Sequence, residues 1–248
     1  MKMKISWYSV SEKGSFAVNE DCVRIEPVPG GVCVALADGL GGNGFGDTAS
    51  KIAAEESVKV LKESGSPDTA FLSAQKAVRS EQSRRGVSGS MLTTLCVLRI
   101  LEKEAESGHV GDSRIYYFRD GKRIRRTHDH SVPQMLSDAG EIKETEIRFH
   151  PDRNRVLHVI GTDWEEAEYE LEKTVSLSSG GIFRKHSAHA FLLCTDGWWE
   201  LISEEQMERS LMESKTPEEW IENMKSLVEE AGRGMEMDNY TAAAVFVE

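Results

Sequence analysis

Hydrophobic residues along the chain keep two rhythms. Short apolar runs bounded by turn residues predict strands, and longer stretches with apolar residues three or four apart predict helices. Residues 22–26 and 32–37 are predicted strands, joined through Pro29, Gly30 and Gly31 in a hairpin-like turn. A helix is predicted over 46–61, with Ala49, Ile52, Ala53, Val58 and Leu61 among its apolar positions. Ser66 with Pro67 opens a second helix that runs to about Arg84. Strands follow at 93–101, 104–110 and 114–119, and Asp120-Gly121 turns the last of these into 122–127. Ser131 is placed to cap a short helix ending at Ala139, and the polar, irregular stretch 140–155 reads as a mobile flap. Strands are expected again near 167–177 and at 191–195. Ser203 with Gln206, and Thr216 with Glu219, fit the capping-box spacing, and Pro217 takes the first helical position of the second pair. Trp220, Met224, Leu227, Val228 and Ala231 line one face of that last helix, and residues 239–247 close the chain as an apolar strand. Hairpin-linked strands beside paired helices, with no regular strand–helix–strand alternation, predict an antiparallel α+β fold. No repeat or flexible linker divides the chain, so residues 1–248 read as a single domain.

Composition narrows the class. With 39% hydrophobic and 29% charged residues in 248, the chain can bury a core and is not of the disordered type. No apolar run approaches the roughly 18 residues of a transmembrane helix, and Met1-Lys2-Met3-Lys4-Ile5 lacks the apolar stretch of a secretory signal. A cytoplasmic location is expected. The net charge of −12 makes nucleic acid or an anionic membrane an unfavourable partner, unless a local basic patch or a bound cation reverses the field. Cys22, Cys33, Cys96 and Cys194 form no CxxC pair and sit in or beside apolar runs, as buried free thiols of a reducing compartment would. A zinc site or disulfides are the alternatives.

The candidate chemistry lies at strand ends. The run 32–37 leads into Asp38-Gly39, His109-Val110-Gly111 into Asp112, and 191–195 into Asp196-Gly197. Asp238 stands just before the last strand, and Glu20 and Asp21 just before or at the start of the first apolar one. One Asp-Gly is most simply a turn, as Asp120-Gly121 shows. Several acids at the ends of strands in one sheet system would converge, and converging carboxylates repel unless they are protonated or share a cation. Carboxylates without supporting histidines favour Mg²⁺ or Mn²⁺ over zinc. A glycine after the aspartate lets its carbonyl approach an ion closely. Gly39 to Gly44 also spells a G-x-G-x-x-G dinucleotide pattern. Against that reading, the helix after it is followed by another helix, and Asp38 would face the pyrophosphate.

Taken together, Asn19-Glu20-Asp21, Ala37-Asp38-Gly39-Leu40-Gly41-Gly42, Thr93-Thr94-Leu95, Val110-Gly111-Asp112-Ser113-Arg114, Asp129-His130-Ser131, Asn154-Arg155-Val156-Leu157, Cys194-Thr195-Asp196-Gly197 and Asp238-Asn239-Tyr240-Thr241 resemble, in order, the metal-dependent protein serine/threonine phosphatases of type 2C, the PPM family. The resemblance spans nearly the whole chain. It implies a four-layer sandwich of two packed antiparallel β-sheets flanked by pairs of α-helices. It implies that Asp38 bridges two Mn²⁺ or Mg²⁺ ions with the Gly39 carbonyl on one of them, and that Asp196 and Asp238 complete the other. Asp112 with Asp196 resembles the pair that holds a third ion in bacterial members, while Glu20 and Asp21 would act through metal-bound waters. Asp38, Asp196 and Asp238 are the implied catalytic residues. The implied reaction is attack of a metal-bridging hydroxide on a phosphoserine or phosphothreonine monoester of a protein, opposing a serine/threonine kinase, by a cytoplasmic monomer.

Two departures stand out. Many members carry a phosphate-clamping arginine a few residues before Asn19, where this chain reads Gly14-Ser15-Phe16-Ala17-Val18 with Lys13 as the nearest base. A lysine does not replace a bidentate arginine, so the substrate-binding group is left unassigned. Leu40 stands where animal members have a histidine proposed as the leaving-group acid, which points to a bacterial-like member. The missing arginine motivates an alternative: a pseudophosphatase that binds a phosphoprotein without turnover. Activity on small metabolites is a third reading. Among the remaining features, His128/His130 and His186/His189 could each bind a metal, with a hydrogen-bonded structural role favoured for His130. Lys122 to Arg126 is either a solvated strand face or a dock for an acidic substrate. The stretch from Ser179 to His189 is expected to be a surface loop. Of Trp198 and Trp199, one is expected in the core and one at the cleft.

Overall fold

The computed structural model describes residues 3–63, 65–177 and 189–248. In chain order these form β1 (Ile5–Glu12), β2 (Asp21–Val28), β3 (Gly31–Asp38), α1 (Gly46–Lys62), α2 (Pro67–Arg85), β4 (Leu95–Leu101), β5 (Glu104–Val110), β6 (Arg114–Arg119), β7 (Lys122–Arg126) and α3 (Val132–Asp138). Then come β8 (Glu170–Leu171), β9 (Val175–Ser176), β10 (His189–Cys194), α4 (Asp196–Trp199), α5 (Glu204–Glu213), α6 (Pro217–Ala231) and β11 (Tyr240–Val247). One sheet has the order β1-β11-β10-β6-β7 and the other β2-β3-β4-β5-β8, with β9 also on β5. The pairings between these strands are antiparallel.

Strand alternation turns this topology into four layers. In β3, Val32, Val34 and Leu36 face the space between the sheets, where they meet Leu98, Phe191, Leu193 and Val245. The intervening Cys33, Ala35 and Ala37 face α1 and α2, packing with Ala53, Leu61, Phe71 and Val78. The other sheet repeats the pattern: Leu192, Ala244 and Phe246 face α5 and α6 and pack with Met207, Trp220, Ile221 and Met224. Three apolar seams therefore hold a helix–sheet–sheet–helix sandwich together, as the resemblance implies. The four cysteines are buried and free, spread over all three seams.

Local chemistry sets the helix ends. Ser66 caps α2, and Thr69 reciprocates by accepting from the Ser66 amide at 2.8 Å. Ser203 and Gln206 form the expected box on α5. Thr216 caps α6 at 3.1 Å, but Glu219 accepts from Lys215 rather than from Thr216, so that box is only half made.

Three expectations need correction. β1 was not foreseen: it is an edge strand whose apolar residues alternate with Ser6, Ser9 and Ser11, and its place is set by register with β11, from Ile5 opposite Val247 to Glu12 opposite Tyr240. The long strand expected near 167–177 is two short bridges, β8 and β9, on the free edge of β5. The stretch 140–155 contains a 3₁₀ helix, Glu144–Phe149, whose Ile147 enters the core and whose Arg148 donates to the Trp199 and Ile202 carbonyls at 2.8 and 2.5 Å. The loop expected at 179–189 lies outside the described residues except for His189, which is a buried strand residue; His186 also lies outside them.

Candidate active site

The stripe that fills the inter-sheet seam ends in polar residues. Two positions past Leu36 on β3 is Asp38, and two before Val23 on β2 is Asp21; the two aspartates are direct cross-strand partners. Like charges so placed destabilise a sheet unless something neutralises them. By the same alternation Thr94, Thr195 and Thr241 extend the stripes of Cys96, Leu193 and Ala243. These hydroxyls organise the acids from below. Thr94 Oγ1 accepts from the Asp38 amide at 3.0 Å, Thr93 Oγ1 donates to the Asp38 carbonyl at 2.8 Å, and Thr195 Oγ1 donates to Asp21 Oδ2 at 3.1 Å.

The remaining acids arrive from the neighbouring strand ends. Asp112 follows β5, and its carbonyl accepts from Trp199 Nε1 at 3.0 Å. Asp196 opens the single turn α4 and accepts from the Gly197 amide at 2.7 Å; a side chain on Gly197 would strike the Asn239 carbonyl. Asp238 accepts from the Asn239 amide at 2.7 Å. The Asn239 side chain accepts from the Glu20 amide at 2.7 Å and donates to the Lys13 and Val18 carbonyls at 2.9 and 3.1 Å, tying both chain ends to the site. Gly39 is required by space: a Cβ there would lie 2.2 Å from the Gly46 carbonyl oxygen.

These residues line a cavity of about 870 Å³ whose wall includes Glu20, Asp38, Asp47, Asp112, Asp196 and Asp238 and, among the described residues, no lysine or arginine. The electrostatics follow. Burial, then the charges of Asp21, Asp196, Asp112 and Asp238, push the Asp38 carboxyl well above the usual range. Asp196 is pushed well up by burial and by Asp112 and Asp238. Burial raises Asp112 to about 7, with Asp129 adding to it, and raises Asp21 to about 7 against the hydrogen bonds of Thr241 and Thr195. Asp238 and Glu20 also rise through burial. Asp129, which is buried, has a cation beside it: Arg114 grips it with two bonds of 2.8 and 2.7 Å. Among the described residues the pocket acids have no such ion-pair partner.

Asp38, Gly39, Asp112, Asp196, Asp238 and Glu20 thus meet around one cavity, and Asp21, which does not line it, is the buried cross-strand neighbour of Asp38. The segment without the arginine, Phe16-Ala17-Val18, forms an apolar side of the cavity, and Leu40 lines it as well. Lys13 contributes its carbonyl to Asn239. An adjoining cavity of about 210 Å³ holds Arg153, whose Nε lies 2.8 Å from Glu200 Oε2. Both tryptophans are buried, so neither lines the cleft; Trp199 acts on the site from behind, through Asp112. The His128/His130 pair divides, His128 turning outward and His130 inward. The basic run is mostly neutralised: Lys122 pairs with Glu208, Arg125 with Glu172 and Arg126 with Glu144. Sequence reasoning missed the roles of Asn239, Thr195, Arg153, Asn154 and Val156. Asn154 and Val156 sit in a segment that carried the resemblance, so the signal was present without a role.

The chain matches the Protein phosphatase 2C family over residues 11–237. It belongs to that family. It is 29% identical over 237 residues to the serine/threonine protein phosphatase PstP of Mycobacterium tuberculosis (strain CDC 1551 / Oshkosh), an alignment covering 93% of this chain and 42% of PstP. It therefore spans less than half the length of that curated relative. Protein phosphatase PhpP of Streptococcus pneumoniae serotype 2 (strain D39 / NCTC 7466) is 29% identical over 224 residues, covering 87% of this chain and 86% of PhpP. The crystal structure of the PstP catalytic domain in complex with two manganese ions has the same fold, with a TM-score of 0.79 at 24% identity over 99% of each chain. Among the described residues no helix is long and apolar enough to cross a membrane.

Proposed function

We propose that this family member hydrolyses phosphoserine and phosphothreonine monoesters in proteins, with divalent ions held by the carboxylate cavity. The convergence of Asp38, Asp112, Asp196 and Asp238 on a wall with no basic side chain among the described residues carries this reading. The donor set fits Mn²⁺ or Mg²⁺. It is all oxygen, Gly39 leaves its carbonyl open to close approach, and Asp21 Oδ1 is buried without a hydrogen-bond partner. The two manganese ions in the PstP structure support the same choice.

In this reading Asp38 and the Gly39 carbonyl, with Asp196 and Asp238, would hold two ions, Asp112 with Asp196 would hold a third, and Glu20 and Asp21 would act through water. When bound, the ions supply an activated water and neutralise the phosphate. The chain's own residues do the positioning. Thr93 and Thr94 fix the Asp38 backbone, and Asn239 fixes Glu20. Phe16, Ala17 and Val18 add no charge to the phosphate side, so phosphate affinity depends on the ions more than in a site with an arginine clamp. Leu40 has no proton to give, so the leaving alkoxide would have to take one from another group or a water in the cavity. The substrates would be products of a serine/threonine kinase, met in the cytoplasm.

A phosphothreonine peptide assayed with Mn²⁺ tests the reading: phosphate release that chelation abolishes is expected, with Asp38→Asn and Asp196→Asn losing more than about a hundredfold. The apolar phosphate side favours the pseudophosphatase as second reading. Peptide binding without release would establish it and end the first.

A further inference from the structure

Away from the acidic cavity, three elements bring together donors of a different kind. His109 near the end of β5, His130 between β7 and α3, and Glu170 on β8 offer ligand atoms that all lie within 4.8 Å of one another. Backbone bonds set their places. His109 and Glu170 are cross-strand partners, and the His130 amide donates to the Gly111 carbonyl at 2.9 Å.

The tautomer of His109 is fixed by its surroundings. Its Nε2 lies 2.6 Å from the His128 carbonyl oxygen, which can only accept, so Nε2 carries the proton. Nδ1 is then a bare lone pair, and it is buried with no hydrogen-bond partner. On the other side of His130 the ring of His158 stands edge-on at 5.3 Å, with its own Nδ1 3.3 Å from Glu168 Oε2. An orphaned buried nitrogen such as His109 Nδ1 is uncommon and calls for an explanation such as an ion or a water. His130 Nε2 lies 3.5 Å from Glu170 Oε1. That is close to the roughly 3.3 Å between neighbouring ligands of a tetrahedral ion with bonds of about 2.0–2.1 Å. Burial pushes the His130 ring down to about 4, so it is a neutral donor near pH 7.

We propose that His109 Nδ1, His130 Nε2 and Glu170 bind a single zinc-type transition ion that staples β8 to β5 behind the loop carrying Asp112. Two imidazoles with one carboxylate suit zinc better than Mn²⁺ or Mg²⁺, so the two sites select different ions. On binding, the His130 ring proton moves from Nε2 to Nδ1, which gives up the 3.3 Å contact from the Gly111 amide. Water completes the coordination on the side where Glu170 is exposed. The proposal does not depend on phosphatase activity.

Zinc uptake measured by equilibrium dialysis in excess Mg²⁺ tests it, with zinc-edge X-ray absorption on the loaded protein. One tightly held zinc per chain with imidazole scattering is expected. Glu170→Gln, at an exposed edge, should weaken it by about tenfold or more, and His130→Gln further. Asp38→Asn should leave it in place. Absence of a tight zinc, unchanged uptake in Glu170→Gln, or zinc lost in Asp38→Asn but kept in both other variants would overturn the assignment. Glu170→Gln keeps the test decisive if His130→Gln fails to fold.

Discussion

Arg114 offers the sharpest energetic test of how the Asp112 loop is held. Its guanidinium is almost fully buried, grips Asp129 with two hydrogen bonds, donates to Tyr116 Oη at 3.1 Å and lies 3.4 Å over the Trp199 ring. Trp199 in turn holds the Asp112 carbonyl. Arg114→Met leaves Asp129 buried with Arg126, at 3.6 Å, as the one remaining paired cation among the described residues. Breaking one side of such a pair costs about 3–5 kcal/mol, and the lost contact with Trp199 adds up to about 2 kcal/mol; Arg126 offsets part of this. We expect a net loss of about 3–5 kcal/mol, or roughly 6–20 °C in Tm for a chain of this length. Asp129→Leu should fall in the same range. The double variant Arg114→Met/Asp129→Leu, which removes both charges, should be more stable than either single one. Urea unfolding of all four proteins, with manganese affinity as a second readout, checks this. A loss below about 1 kcal/mol in Arg114→Met, or a double variant as unstable as the sum of the singles, would refute the reasoning.

Chelation should lower the unfolding free energy by about 2.7 kcal/mol relative to protein in Mn²⁺ at a hundred times its Kd, roughly 5–11 °C by calorimetry. Identical melting curves with and without chelator would contradict a metal-filled cavity. Gly39→Ala should destabilise by more than about 2 kcal/mol and impair manganese binding, because its Cβ meets backbone at 2.2 Å, read by urea unfolding and dialysis. Asn239→Ala removes the acceptor for Glu20 and two donor bonds, and should cost about 1–3 kcal/mol in the same unfolding assay. Ser66→Ala, far from the cavity, should cost about 1 kcal/mol and leave manganese affinity unchanged.

What the sequence revealed depended on whether the cause was local. β2, β3, α1, α2, α5 and α6 follow from turn glycines, caps and apolar spacing that lie within a few residues of each element. The acids of the site were legible because each directly follows or precedes a strong strand, so position along the chain already told position in space. β1 was invisible because its partner β11 lies at the far end of the chain and its own pattern is diluted by serines. The tryptophans were half misread for a similar reason: Trp199 lies under the Arg114 guanidinium and against the Asp112 loop, neither of which its neighbours in sequence disclose. Asn239 was noticed as part of a motif, but its role joins Glu20, Lys13 and Val18, and only the folded chain brings these together.

The core and the cavity are two ends of the same pattern. Residues at alternate positions of β3 run Val32, Val34, Leu36 and then Asp38, so a one-residue slip of this strand would expose its apolar stripe and move Asp38 out of the site. The register that stabilises the fold therefore also aligns the acids, and pairing along β2 and β4 protects it over six or more residues on each side. Such a scaffold can hold together a cluster of carboxylates, some half-buried, that have no basic partner among the described residues. In the proposed reading, their mutual repulsion is what a bound cation would relieve.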